Sequence, residues 1–309
     1  MDDESRSGWQ RAWRRILWIS AGITVMCAAF VIVLLAAARV DLAADSGGRV
    51  YYVSNRAGME DLILADTGRG QTFNLTQHRA AWEGTPARSP DGAFVAYASA
   101  IDGNMDIYVM RADGGDVRRL TDDPARDHHP VWSPDGRRLA FASDRDGNWE
   151  LYVVNADGGD LQRVTHNPAD DEAPSWSPAA DVLAFVSYRR GNWAIFTINV
   201  DGSHLREITT DTRVRDVSPA WSPDGTRIAF ASDRGARSFE IYVMNADGAD
   251  MRRLTENDAL DRSPIWSADG AFITFESWRD GSADIYRMMS DGGGLVRLTD
   301  SAARDTAPS

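Results

Sequence analysis

A repeat of 44 to 45 residues constrains the fold of this chain more than any other feature. Ser-Pro-Asp-Gly or a close variant begins at five evenly spaced serines: Ser89, Ser133, Ser177, Ser222 and Ser267. A second serine, which closes an apolar run, recurs six times, and so does a threonine that follows Leu, Val or Ile. This period is typical of the blades of a β-propeller.

Each repeat contains four short β-rich segments separated by turns, many of them built on Asp-Gly. Such turns need positive φ, which Gly adopts freely and Asp tolerates. Four strands joined in this way form an antiparallel meander, and six meanders packed radially bury each other's faces. The sequence therefore predicts an all-β fold, a six-bladed β-propeller of four-stranded antiparallel blades over residues 49–309.

The two ends of the repeat region complement each other. The first repeat starts at its second strand, near residues 49–53, whereas the chain ends with a copy of the start of a first strand, Arg304-Asp305-Thr306-Ala307-Pro308-Ser309. We therefore predict that the C-terminus completes the first blade and closes the ring.

An apolar segment precedes the repeats. The 23 residues from Ile16 to Ala38 carry no charge and would reach roughly 35 Å as a helix, enough to cross a bilayer core of about 30 Å. Arginines are concentrated before this segment, which places the N-terminus inside by the positive-inside rule. The prediction is a cytoplasmic tail (1–15), a transmembrane signal-anchor helix (16–38), a linker (39–48) and a propeller outside the cytoplasmic membrane, periplasmic or extracellular. A cleaved signal peptide is the alternative, because small residues follow the apolar segment.

Composition excludes several classes of function. The chain has 46 acidic residues against 33 basic ones and a net charge of -13, which argues against a nucleic-acid partner. Cys27 is the single cysteine, so neither an intramolecular disulfide nor a cysteine-based zinc site is expected. Hydrolase and phosphate-binding motifs are also missing from the sequence.

The repeated motifs resemble a known family. Pro-x-Trp-Ser-Pro-Asp-Gly, Ser-Asp-Arg-Asp-Gly and Ile-Tyr-Val-Met-Asn-Ala-Asp-Gly are similar to the WD40-like PD40 repeat of TolB-like six-bladed propellers, over residues 50–309. The resemblance implies the propeller fold. TolB-like proteins carry a separate α/β domain before the propeller, whereas the apolar segment stands in that place here.

Candidate functional residues lie where the repeats vary, in the links between blades and in the turns between second and third strands, which share one face. Three residues before each innermost-strand proline comes an acid: Glu83, Asp127, Asp171, Asp216, Asp261 or Asp305. Two residues after the marker serine comes an arginine in five repeats: Arg56, Arg145, Arg189, Arg234 and Arg279. Tryptophans also lie in or beside this face: Trp82, Trp149, Trp193 and Trp278.

Two interpretations of the acids remain open. In the first, they form a ring at the channel mouth that attracts a cation, a basic peptide or an amine. In the second, each acid caps backbone N–H groups or pairs with an arginine as a brace between blades. Blade two has Ile101 in place of the arginine, so within-blade pairing would leave Glu83 free for a ligand. His128 and His129 are predicted to point apart in a solvated loop and to share no metal.

We therefore predict a non-catalytic, membrane-anchored module that binds another envelope protein or peptide at the loop face. The alternative is a hydrolase or lyase acting on a glycan or peptide, with channel carboxylates such as Glu83 and Asp127 as acid and base. No cofactor is predicted. The alternative is a cation such as calcium bound in the channel.

Overall fold

The computed structural model describes residues 48–77, 82–235 and 238–309. The predicted tail, membrane helix and linker lie outside these residues, except for Gly48. No helix of sufficient length and apolarity to cross a bilayer occurs in the described part of the chain.

Within these residues, 24 strands form six four-stranded antiparallel sheets, which confirms the predicted propeller. Blade one contains β1 (Arg49–Ser54), β2 (Asp61–Asp66), β3 (Gln71–Asn74) and the C-terminal strand β24 (Asp305–Thr306). Blade two contains β4 (Glu83–Arg88), β5 (Phe94–Ser99), β6 (Asp106–Arg111) and β7 (Arg118–Arg119). Blade three contains β8 (Asp127–Trp132), β9 (Arg138–Ser143), β10 (Glu150–Asn155) and β11 (Gln162–Arg163).

The remaining blades repeat this order. Blade four contains β12 (Asp171–Trp176), β13 (Val182–Ser187), β14 (Ala194–Asn199) and β15 (Arg206–Glu207). Blade five contains β16 (Asp216–Trp221), β17 (Arg227–Ser232), β18 (Glu240–Asn245) and β19 (Arg252–Arg253). Blade six contains β20 (Asp261–Trp266), β21 (Phe272–Ser277), β22 (Asp284–Met289) and β23 (Val296–Arg297). The first strands β4, β8, β12, β16 and β20 neighbour one another in turn, as innermost strands do.

The hydrophobic core lies between neighbouring blades. Phe141 and Phe185 are fully buried on the second strands, and the ring of Phe185 packs 5.9 Å from that of Phe196 on the next strand. One apolar cluster joins Phe141 to Ala96 of the preceding blade, and another joins Phe185 to Ala140. Full burial of one such side chain contributes about 1.5–3 kcal/mol, so interdigitated second and third strands supply much of the stability.

The Ser-Pro-Asp-Gly turn is fixed by its own side chains. In blade three, the Ser133 hydroxyl donates to Asp135 Oδ1 at 2.6 Å and accepts from the backbone N–H of Arg138 at 2.9 Å. Gly136 has a φ of 68°, which a side chain would strain. The turn therefore recurs because the hairpin needs it.

Each innermost strand carries a left-handed residue two positions after its first residue. The φ values of these six residues lie between 47° and 53°: Thr85, His129, Ala173, Ser218, Ser263 and Ala307. In the five longer strands the pairing register also shifts here, as in a β-bulge. Side chains on either side of this point therefore do not alternate between faces.

The C-terminus completes blade one, as the repeat pattern predicts. Asp305 and Thr306 pair with Ser54 and Val53. Beyond this short strand, Tyr51 and Ser309 exchange backbone hydrogen bonds of 3.0 and 2.8 Å. The two ends of the propeller thus meet in one sheet.

Deleting residues 300–309 removes this strand and the buried carboxylate of Asp305. Loss of one partner of a buried ion pair lowers the free energy of unfolding by about 3–5 kcal/mol. Each kcal/mol lowers the melting temperature of a domain of this size by a few degrees, so we expect a fall of about 10 °C. Differential scanning calorimetry measures the change. Asp300→Asn, an exposed change in the same segment, is the control, and an unchanged melting temperature after the deletion contradicts the latch.

Candidate functional site

The six predicted acids all occupy the first position of an innermost strand, and all are buried. Their exposed fractions are at most 1%: Glu83, Asp127, Asp171, Asp216, Asp261 and Asp305. The carboxylates therefore do not form an open ring at the channel mouth.

The five predicted arginines each pair with one of these acids. The N–O distances are 3.1 Å for Arg56–Asp305, 3.0 Å for Arg145–Asp127, 2.9 Å for Arg189–Asp171, 2.6 Å for Arg234–Asp216 and 2.9 Å for Arg279–Asp261. Every pair lies within one blade, whereas the bracing hypothesis expected it to join two. This is nevertheless a structural brace rather than an arrangement open to a ligand.

The marker serine and an aromatic ring hold each arginine in place. In blade three, Arg145 Nε donates to Ser143 Oγ at 2.9 Å, and the guanidinium lies 4.7 Å from the centre of the Tyr152 ring. Burial raises the pKa of Asp127 even though Arg145 acts to lower it. The Ser-x-Arg motif is thus explained by the need to compensate a buried carboxylate.

The contact between blades comes from the backbone of the same acids. Asp127 N–H donates to the Met105 carbonyl at 2.8 Å, and Asp171 N–H donates to the Trp149 carbonyl at 2.8 Å. Equivalent bonds link Asp216 to Trp193, Asp261 to Phe239 and Asp305 to Ala283. Each of these five aspartates therefore stabilises its own blade through its side chain and contacts the preceding blade through its main chain.

Blade two departs from this scheme. Ile101 replaces the arginine and is 42% exposed, while Glu83 remains buried. Glu83 nonetheless has an interaction partner. The expectation that its carboxylate is left free for a ligand was wrong, because the loss of one arginine does not leave this acid alone.

The structure contains a second set of buried acids that the sequence did not lead us to predict. These acids begin the third strands and accept from an arginine 13 residues later, at 2.6 to 2.9 Å: Asp106–Arg119, Glu150–Arg163, Glu240–Arg253 and Asp284–Arg297. In blade one, Asn74 donates to Asp61 instead, at 2.8 Å. The constant spacing of acid and arginine was the available signal.

The two adjacent histidines do not point apart. His128 and His129 are partly buried on β8, and their Nδ1 atoms are 2.6 Å apart. The prediction failed because His129 is the left-handed residue of the bulge, with a φ of 53°, so the alternation of an ordinary strand is lost here. Both side chains are also less exposed than those of a solvated loop.

Glu172, on the neighbouring innermost strand β12, approaches this pair. Its Oε2 atom is 3.8 Å from His128 Nε2, and the His128 ring lies 3.9 Å from the ring of Trp149. Burial, reinforced by Asp170, raises the pKa of Glu172 to about 7. Burial lowers the pKa of His128 to about 2 and that of His129 to about 4, so both imidazoles are neutral at physiological pH.

The predicted aromatic residues differ in exposure. Trp82 is 37% exposed. Trp149 and Trp193 are partly buried and pack against clusters between blades, and the Trp193 ring lies 5.3 Å from that of Tyr188. Trp278 lies between two arginines, 5.5 Å from the Arg262 guanidinium and 5.8 Å from that of Arg304. This face thus combines aromatic surface with positive charge.

The repeats assign the chain to a family. The model of the TolB beta propeller domain, PD40, matches residues 42–172, 167–239 and 237–309. The chain belongs to this family. Membership accounts for the period, the blade topology and the recurring turns of the TolB-like propeller.

Curated relatives resemble only part of this chain. The Tol-Pal system protein TolB of Anaeromyxobacter dehalogenans is 34% identical over 85 residues, which are 28% of this chain and 19% of the relative. The matched segment is thus about a fifth of that protein.

Solved structures share the TolB-like fold at low identity. TolB from Acinetobacter baumannii superposes with a TM-score of 0.74 and 22% identity, covering 84% of this chain and 66% of the other. Oligogalacturonate lyase from Vibrio parahaemolyticus has a TM-score of 0.58 and 15% identity, covering 82% and 75%. These likenesses establish the fold alone.

Arg189→Met tests the brace. The change keeps apolar contact with Phe196 but leaves the buried carboxylate of Asp171 without its counterion. We therefore expect the free energy of unfolding, measured by urea denaturation, to fall by about 3–5 kcal/mol. Arg213→Met, at an 85% exposed side chain in the following link, should leave the urea midpoint unchanged. Equal midpoints for the two variants would contradict the bracing role of Arg189.

Proposed function

We propose that this TolB-like propeller is a non-catalytic binding module of the cell envelope, which holds a protein or peptide partner at its loop face. The observation that carries the proposal is the composition of that face, where Trp82 is exposed and Trp278 lies beside Arg262 and Arg304. Tryptophan and arginine are the residue types enriched at the energetic centres of protein interfaces. The TolB relatives, which are named as Tol-Pal system proteins, favour a role in the envelope.

The buried acids argue for a binding protein rather than a hydrolase or lyase. An acid and base pair needs carboxylates that reach a substrate, but Asp127 is 0% exposed and is held by Arg145. Glu83 is 1% exposed and also has a partner. The chemistry that the alternative requires of these two residues therefore finds no support in their environment.

Trp82→Ala tests the partner-binding face. We expect recovery of a partner from envelope extract by the detergent-solubilised full chain to fall at least tenfold, because truncating a central aromatic contact typically costs about 2 kcal/mol or more. Quantitative mass spectrometry of the captured proteins measures this loss. Phe94→Ala is the matched control, since Phe94 is 39% exposed and opens β5 on the opposite side of the blade. Equal recovery by both variants would refute the loop face.

We also propose that residues 16–38 anchor the propeller in the cytoplasmic membrane with its blades outside. The full chain is then expected to resist extraction by alkaline carbonate and to be digested by protease added to spheroplasts. N-terminal sequencing distinguishes the alternative, because a cleaved signal peptide would yield a chain that begins after Ala38 or Ala44 and washes off the membrane.

A further inference from the structure

Three side chains on two neighbouring innermost strands converge on one point. One donor atom from each of His128, His129 and Glu172 lies within 4.8 Å of the other two. Metal–ligand bonds of about 2.0–2.2 Å require donor atoms roughly 3–4 Å apart, so small side-chain adjustments suffice to close this group around an ion. We propose that His128, His129 and Glu172 form a binding site for a divalent transition-metal ion, and we take Zn²⁺ as the ion for the test.

The donor set selects the class of ion. Two imidazoles and one carboxylate suit zinc and its neighbours in the first transition row, whereas calcium and magnesium take oxygen ligands. The channel cation considered from the sequence, calcium, therefore does not fit this group. Three protein ligands leave at least one coordination position for water or another ligand, as in zinc sites that are not closed.

The backbone holds the ligands rigidly. His128 directly follows Asp127, and Glu172 directly follows Asp171, so each ligand strand is fixed by its brace to Arg145 or Arg189. The bulge then brings the His129 ring beside that of His128, instead of sending it to the opposite face. A site built on braced strands loses little freedom when an ion binds.

Arg126 acts electrostatically on both His128 and Glu172, but it does not oppose metal binding with a full free charge. The Arg126 guanidinium lies 5.0 Å from the centre of the Trp149 ring, and the same ring also contacts His128. This guanidinium pairs with Asp144 at 2.7 Å, which offsets its charge. Asp170 acts on Glu172 as a second negative group. The local field therefore tolerates a cation.

The same positions in the other blades carry no comparable donors. The residues that correspond to His128 and Glu172 are Gly84, Val217, Arg262 and Thr306, and those that correspond to His129 are Thr85, Ala173, Ser218, Ser263 and Ala307. The cluster is thus a departure from the repeat rather than a requirement of it, and it occurs on two adjacent strands, where the side chains can meet.

The test uses the full chain without an affinity tag, purified in mild detergent and stripped with a chelator. Isothermal titration with Zn²⁺ at neutral pH should give about one equivalent bound, and Co²⁺ should give visible absorption bands of a nitrogen- and oxygen-ligated ion. His129→Ala and Glu172→Gln should each weaken Zn²⁺ binding at least tenfold. His129→Ala is expected to fold, because alanine already occupies this left-handed position at Ala173 and Ala307.

Two histidines outside the cluster provide controls. His166→Ala changes an exposed residue in the next link, and His204→Ala changes an exposed residue in a third-to-fourth-strand turn. Both variants should bind Zn²⁺ as the parent does. The proposal is overturned if the parent binds less than one equivalent at micromolar Zn²⁺, or if His129→Ala and Glu172→Gln, with unchanged melting temperatures, bind as tightly as His166→Ala.

Discussion

A buried carboxylate at the head of each innermost strand organises this propeller. Its backbone N–H reaches the preceding blade, as between Asp171 and the Trp149 carbonyl, while its side chain is compensated inside its own blade by Arg189. Removing one partner of such a pair leaves a charge without water or counterion, at a cost of about 3–5 kcal/mol. The acid and the arginine occur together in five blades, whereas blade two has Glu83 in place of Asp and Ile101 in place of the arginine. In blade one the same contact joins Asp305 to Arg56 and so closes the ring.

The brace also determines which positions are free to vary. The residue after each acid precedes the left-handed residue, and both lie on strands whose ends are already fixed. The side chains at these two positions differ widely between blades, from Gly84 and Thr306 after the acid to Ala173 and Ser218 at the left-handed residue, so the fold does not require one particular side chain there. Substitution at these two positions can therefore create chemistry such as that of His128, His129 and Glu172 without loss of the fold.

The sequence predicted the blades well because their signals are local. The Asp-Gly turns and the marker serine of Arg145 act within a few residues, and repetition averaged out the uncertainty of any single copy. The histidine pair was misjudged because it depends on a bulge. The six left-handed residues of the innermost-strand segments include no glycine, so only the structure reveals that His129 leaves the regular alternation.

The proposed partner site and the proposed metal site lie at the same end of the molecule. Trp149 belongs to the turn between the second and third strands of blade three, on the loop face, and its ring lies 3.9 Å from that of His128 at an interplanar angle of 51°. An ion held by three protein ligands retains a position for an exchangeable ligand. His128 and Glu172 are the second residues of β8 and β12, so they lie near the end of each innermost strand that joins the inter-blade link. The metal cluster is therefore next to the loop face through Trp149, whereas Trp82 and Trp278 of the proposed partner site belong to the link before blade two and to blade six.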